Sequence, residues 1–151
     1  MLRDDVINCI EDLKVLYNHK KELCDKGSAI LIEAKQHAKT GNIDGVDECL
    51  EELAEMQNLH TVPDFDIAAI YDKLSVILGV KEEFIISTIA EADIEKAESL
   101  SNSIQSFLQS MYYSEKNLTE VIVQLDDTMQ NLNADISGLS ELRKAMEIIN
   151  H

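Results

Sequence analysis

Apolar residues along this chain recur mostly three and four positions apart, the spacing of one face of an α-helix. In the first segment, from about Arg3 to Thr40, the stripe is Val6, Ile10, Leu13, Leu16/Tyr17, Leu23/Cys24, Ile30/Leu31, Ala34 and Ala38. Gly27-Ser28 interrupts it without shifting its phase, so the spacing predicts one long helix. "TGNIDG" stops it. A second helix follows from about Asp44 to Leu59, with Val46, Leu50, Leu53 and Gln57 on one face, widened by Cys49 and Met56. In "HTVPDFD", Pro63 disfavours helix at Val62 and Asp64 is a good N-cap. The third helix is therefore expected over Phe65–Leu78, with Ile67, Ile70, Tyr71, Leu74, Ile77 and Leu78 together. As the most apolar segment, it is expected to be the most buried element.

From Lys81 to the C-terminus no residue forces a stop. Written as heptads, Ala90, Ala97, Ile104, Met111, Leu118, Leu125, Leu132, Leu139 and Met146 fall at d, and Ile94, Ser101, Leu108, Glu115, Ile122, Met129, Ile136, Arg143 and Asn150 fall at a. Before Leu118 the apolar face is broad (Phe84, Ile85, Ile86, Ile89, Leu100, Phe107) and needs several neighbours. From Leu118 to Leu139 it narrows to a and d alone, the mark of a coiled-coil seam. Asn117 and Glu120 could form a capping box, and Gly138 weakens a helix, but the phase survives both. The expectation is one unbroken fourth helix. The fold predicted is all-α: a bundle of about four helices (residues 1–113), and a coiled-coil arm (residues 114–151) continuous with the last of them.

Composition agrees with helices. The 151 residues hold one proline, five glycines, no tryptophan and 5% aromatics in a chain that is 45% hydrophobic. Apolar runs such as "IAAIY" and "FIISTIA" fall short of the roughly 20 residues of a membrane span, and the acidic start "MLRDDVINCIEDL" is unlike a signal peptide. Cys9, Cys24 and Cys49 are odd in number and unpaired in pattern, as expected of reduced thiols packed as small hydrophobes in a cytoplasmic protein.

Charge narrows the partners. The net charge is −16, and the first forty residues contribute none of it. Between Gly41 and Asp72 there are nine acids and no Lys or Arg. Such a surface repels phosphate and predicts neither nucleic-acid nor membrane binding.

Three patterns resemble chemistry, and each has a simpler reading. In "KTGNIDGVDECLE", with Thr40 as position 1, Asn42, Asp44, Gly45 and Glu51 fall on calcium-loop positions. Thr40, however, stands where that loop needs a carboxylate, and Asp47 where it needs an apolar residue. Every residue in the stretch also has a helix-capping role. "LSVILGVKEEFIISTIA" has a helix-turn-helix outline, but its second helix opens Lys81-Glu82-Glu83 and has no arginine. The histidines His19, His37, His60 and His151 include no Glu-x-x-His pair of the di-iron kind. Glu33 and His37 are four apart, with nothing in the sequence to join them, and surface or helix-end histidines are the simpler account.

No catalytic residue, cofactor or metal is therefore expected. The sequence predicts a non-catalytic interaction or assembly subunit, making a homo-oligomer or a hetero-coiled coil with a protein partner through Leu118, Ile122, Leu125, Met129, Leu132, Ile136 and Leu139. Isoleucine at a with leucine at d is the parallel two-stranded combination. The flanking pairs Val121–Asp126, Thr128–Asn133 and Asp135–Ser140 contain no attractive ion pair. The alternative is an acidic binding module or chaperone for a basic protein, acting through Asp44, Asp47, Glu48, Glu51, Glu52 and Glu55.

Overall fold

A computed structural model describes the backbone of residues 2–150 and the side chains of residues 2–148. It is all-helical, with α1 at Asp4–Lys39, α2 at Ile43–Asn58, α3 at Thr61–Leu78, a 3₁₀ turn at Glu82–Phe84, α4 at Ile85–Ala92 and α5 at Ile94–Asn150.

The frame is a pair of parallel helices. Tyr17 packs on Phe107, Lys35 meets Glu120, and Ala38 meets Thr128, so α1 and α5 climb together along the whole of α1. The expected phase-keeping across Gly27-Ser28 is present, with α1 continuous over 36 residues. Both glycine and serine there are buried, because this stretch faces the other helices.

Two apolar clusters hold the pair. The lower joins Val6, Cys9, Ile10 and Leu13 of α1 to Ile67 and Leu74 of α3, Ile85 and Ile89 of α4, and Ala97 and Leu100 of α5. The upper joins Leu31 and Ala34 of α1 to Cys49 of α2 and Val121 of α5. Between them lies a polar waist, where Ser28, Ser110 and Asn117 are buried. Among the described residues, no side chain or backbone group pairs with Ser28 Oγ or Asn117 Nδ2 there.

The short connections follow from capping chemistry. Thr40 folds its hydroxyl back to the carbonyl of His37 at 3.1 Å, and the Asn42 side chain accepts the Gly45 N–H at 3.0 Å, as an N-cap does. The would-be calcium loop is thus a helix hairpin turn. At the end of α3, Gly79 has φ +65°, a left-handed C-cap that other residues adopt at a cost.

Three expectations are corrected. α3 begins at Thr61, before Pro63, and not after Asp64. Proline in a first turn gives up an N–H that has no helical partner anyway, so it is tolerated. Asp64 does not cap; it forms an ion pair with Lys20. α3 is also not the most buried element. Only Pro63, Ile67 and Leu74 are buried in it, against ten residues of α1, because α3 lies on the outside and α1 at the centre.

The third correction concerns the last helix, which is not one piece from Lys81. The chain breaks at Asp93, in extended backbone (φ −156°, ψ 96°). Its side chain accepts the Lys96 N–H at 3.3 Å and starts α5. The corner lets Ile85 and Ile89 of α4 and Ala97 and Leu100 of α5 enter the same lower cluster, and it leaves Ile94 exposed at the bend. The all-α bundle with its long last helix is present as expected, and among the described residues it is built from five α-helices. From Ile94 on, α5 runs for 57 residues, through both Asn117 and Gly138, as expected.

Candidate functional site: an uncovered helical seam

α5 stays against the bundle as far as Thr128, whose hydroxyl donates to the Ala38 carbonyl at 2.9 Å. On this stretch Val121 is fully buried, Leu118 and Leu125 pack against the upper cluster, and Lys35 holds Glu120 at 3.2 Å. The covered face runs through Asn117, Val121 and Thr128, beside the d residues. The a residues lie on its outer edge.

Beyond Thr128 the cover ends, since α1 stops at Lys39. Every side chain described from Met129 to Ile148 is exposed. At 1.5 Å per residue, this part of α5 extends the helix by about 33 Å.

The seven predicted contact residues are thus divided. Leu118 and Leu125 are half-buried against their own bundle, whereas Ile122, Met129, Leu132, Ile136 and Leu139 are 47–62% exposed. Leu142, Met146 and Ile148 continue the exposed apolar surface. Leu142 falls at g and escapes an a/d reading, yet it widens the stripe beside Leu139. The arm is nearly neutral, with Asp135, Glu141 and Glu147 against Arg143 and Lys144.

The acidic candidates Asp44, Asp47, Glu48, Glu51, Glu52 and Glu55 are all exposed on α2. None takes part in an ion pair among the described residues. The face of α2 that meets α1 is Gly45, Val46 and Cys49, whereas the outer face carries the acids together with Ile43 and with Leu50, which was expected on the inner face and is 36% exposed.

A cleft of about 290 Å³ opens at the waist, lined by Leu23 and Gly27 of α1, Leu53 and Met56 of α2, and Met111 and Leu118 of α5. At its lower end the Lys20 ammonium sits 4.5 Å from the centre of the Phe107 ring and is paired with Asp64. Burial lowers the basicity of His60 on the cleft wall. Nearby, the hydroxyls of Tyr17 and Tyr71 share a hydrogen bond of 2.9 Å, and burial pushes both phenols up, which keeps them neutral.

Burial likewise pushes up the thiols of Cys9, Cys24 and Cys49, which favours their neutral form. In the stretch with the helix-turn-helix outline, Ile85 and Ile89 of the would-be reading helix are fully buried in the lower cluster. One juxtaposition escaped the sequence. Cys49 of α2 joins the Glu33–His37 pair of α1, placing a carboxylate oxygen, a ring nitrogen and a sulfur together. The hairpin turn supplies that third ligand, and spacing within α1 alone does not reveal it. His151 lies outside the described residues.

No described helix is long and apolar enough to cross a membrane. No protein-family model, curated protein or solved structure matches this chain.

Proposed function

We propose that this chain is a non-catalytic assembly subunit, joined to a second copy of itself through the seam of α5. The observation that carries this reading is the row Met129, Leu132, Ile136 and Leu139, left exposed on a helix that outruns its bundle. Full burial of each such side chain is worth about 1.5–3 kcal/mol, so a partner laid along the seam has a substantial driving force. Isoleucine at a with leucine at d suits a two-stranded coil. Charge favours the same place, because the bundle carries nearly all of the −16 and the arm almost none. Two copies therefore meet with least repulsion arm to arm.

Sedimentation equilibrium over a dilution series tests this. The expected result is a dimer of 17.0 kDa subunits that dissociates on dilution. Leu132→Lys with Leu139→Lys, both outside the bundle, should give monomer throughout. A wild-type chain that is monomeric at every concentration overturns the proposal, and so does a double variant that still dimerises.

The unpaired carboxylates of α2 favour a second reading, a docking face for a basic protein. Its binding should fall steeply with salt, whereas the apolar seam should hardly respond.

A further inference from the structure

Where the end of α1 meets the start of α2, the side chains of Glu33, His37 and Cys49 converge. Their ligating atoms lie within 4.8 Å of one another, the one such group among the described residues. Glu33 and His37 are neighbours one helical turn apart, with His37 Nε2 3.6 Å from Glu33 Oε1. Two light ligands of a tetrahedral zinc ion, each about 2.0–2.1 Å from the metal, stand about 3.3 Å apart, so this pair is already close to a coordination edge.

The histidine is held in place. A Cβ on Gly45 would come within 2.7 Å of its ring Cγ and Nδ1, so glycine is what lets the ring lie over α2. Asn42 Nδ2 is 3.2 Å from His37 Nδ1. Because Asn42 Oδ1 is occupied by the Gly45 N–H, the amide nitrogen faces the ring and donates to Nδ1. That leaves Nε2, on the Glu33 side, as the nitrogen open to a metal. The surroundings suit a cation as well: Glu33, Glu48 and Glu52 all bear on Cys49 with negative charge.

We propose that Glu33, His37 and Cys49 form a three-ligand site for a zinc-class divalent cation, with water in the fourth position, which fastens α1 to α2 just below the arm. The mixed set of carboxylate, imidazole and thiolate is one that such ions accept. On loading, the Cys49 thiol releases its proton to solvent, and His37 moves its proton from Nε2 to Nδ1. Nδ1–H then faces the Asn42 amide, donor against donor, so Asn42 weakens the site. Aspartate at this position keeps the N-cap with one oxygen and accepts Nδ1–H with the other, completing a carboxylate–histidine–metal relay. The site is independent of the seam.

Cobalt(II), titrated into the full chain after reduction and removal of metal by a chelator, is the probe. The expected result is tetrahedral cobalt absorption with a sulfur-to-cobalt charge-transfer band, complete at one equivalent and displaced by zinc. Cys49→Ser should abolish that band. Glu33→Gln, at an exposed position, should weaken binding at least tenfold, and Asn42→Asp should tighten it by about tenfold. Circular dichroism confirms that each variant is folded. If Cys49→Ser does not fold, the opposite shifts of Glu33→Gln and Asn42→Asp carry the decision. Absence of the band in the wild-type chain overturns the site. A band that persists in folded Cys49→Ser does so too, since the sulfur would then belong to Cys9 or Cys24.

Discussion

Up to Thr128, α5 lies along α1 and buries Ala97, Leu100, Phe107 and Val121; beyond it, the same helix carries Met129, Leu132, Ile136 and Leu139 into solvent. Both stretches space their apolar residues three and four apart. What separates them is the length of the neighbour. α1 ends at Lys39, and α2 and α3 turn back over α1 without following α5 upward. An apolar stripe on a helix therefore reports that a neighbour is wanted, and the reach of the other helices decides whether it comes from the same chain. The width of the stripe carries further information. The broad face before Leu118 meets several helices at once, whereas the exposed stripe beyond Thr128 is narrower.

The largest expected effect lies in the covered half. Leu100→Ala removes a side chain with no exposed surface from the lower cluster and should cost about 2–5 kcal/mol in urea unfolding. Ile136→Ala, a change in the uncovered half, should leave the stability of the diluted monomer within about 0.5 kcal/mol of wild type. It should weaken only association. A comparable loss from Ile136→Ala in the monomer would show the arm folded back on its own bundle, and the contrast between the halves would collapse.

A middle-sized effect belongs to the corner where α5 begins. Asp93→Ala removes the N-cap that accepts the Lys96 N–H and should cost about 1 kcal/mol. Association through the arm should be unchanged, since the corner is at the opposite end of α5. An unchanged or higher unfolding midpoint would mean that α4 and α5 join into the single helix that the heptad phase describes.

That corner marks the limit of what periodicity reveals. Helix type and the turns at Gly41 and Gly79 were legible because stripes, glycines and capping residues agree locally. The break at Asp93 was not, because "IAEADIEKAE" suits a continuous helix in every local respect. It bends so that Ile85, Ile89, Ala97 and Leu100 can share one core, a tertiary demand that outweighs local phase. The start of α3 was misplaced for a related reason: Pro63 excludes a helix interior but not a first turn. At the seam, the residue types were legible but their cover was not. Leu118 and Leu125 read as equal to Leu132 and Leu139, and only the end of α1 distinguishes them. The Glu33–His37–Cys49 group was invisible because its third member arrives from another helix.

The smallest effect probes how firmly the arm stands before anything binds it. A side-chain carbon added at Gly138 would meet nothing within 4 Å. Gly138→Ala should thus favour the helix by about 0.8–1 kcal/mol through propensity alone. The bundle, which ends below it, should keep its unfolding midpoint. A helix with only a narrow seam and no neighbour draws little stability from packing, so in the monomer its helical content rests on such local preferences. If the free arm frays, the substitution should raise helicity by circular dichroism and tighten the dimer, by up to about thirtyfold when each of the two arms contributes its roughly 0.8–1 kcal/mol. If the arm is fully helical beforehand, both quantities should stay put. Weaker association would place position 138 inside the contact, in conflict with a seam formed by Leu132, Ile136 and Leu139, because Gly138 falls at an outward c position of the same heptads.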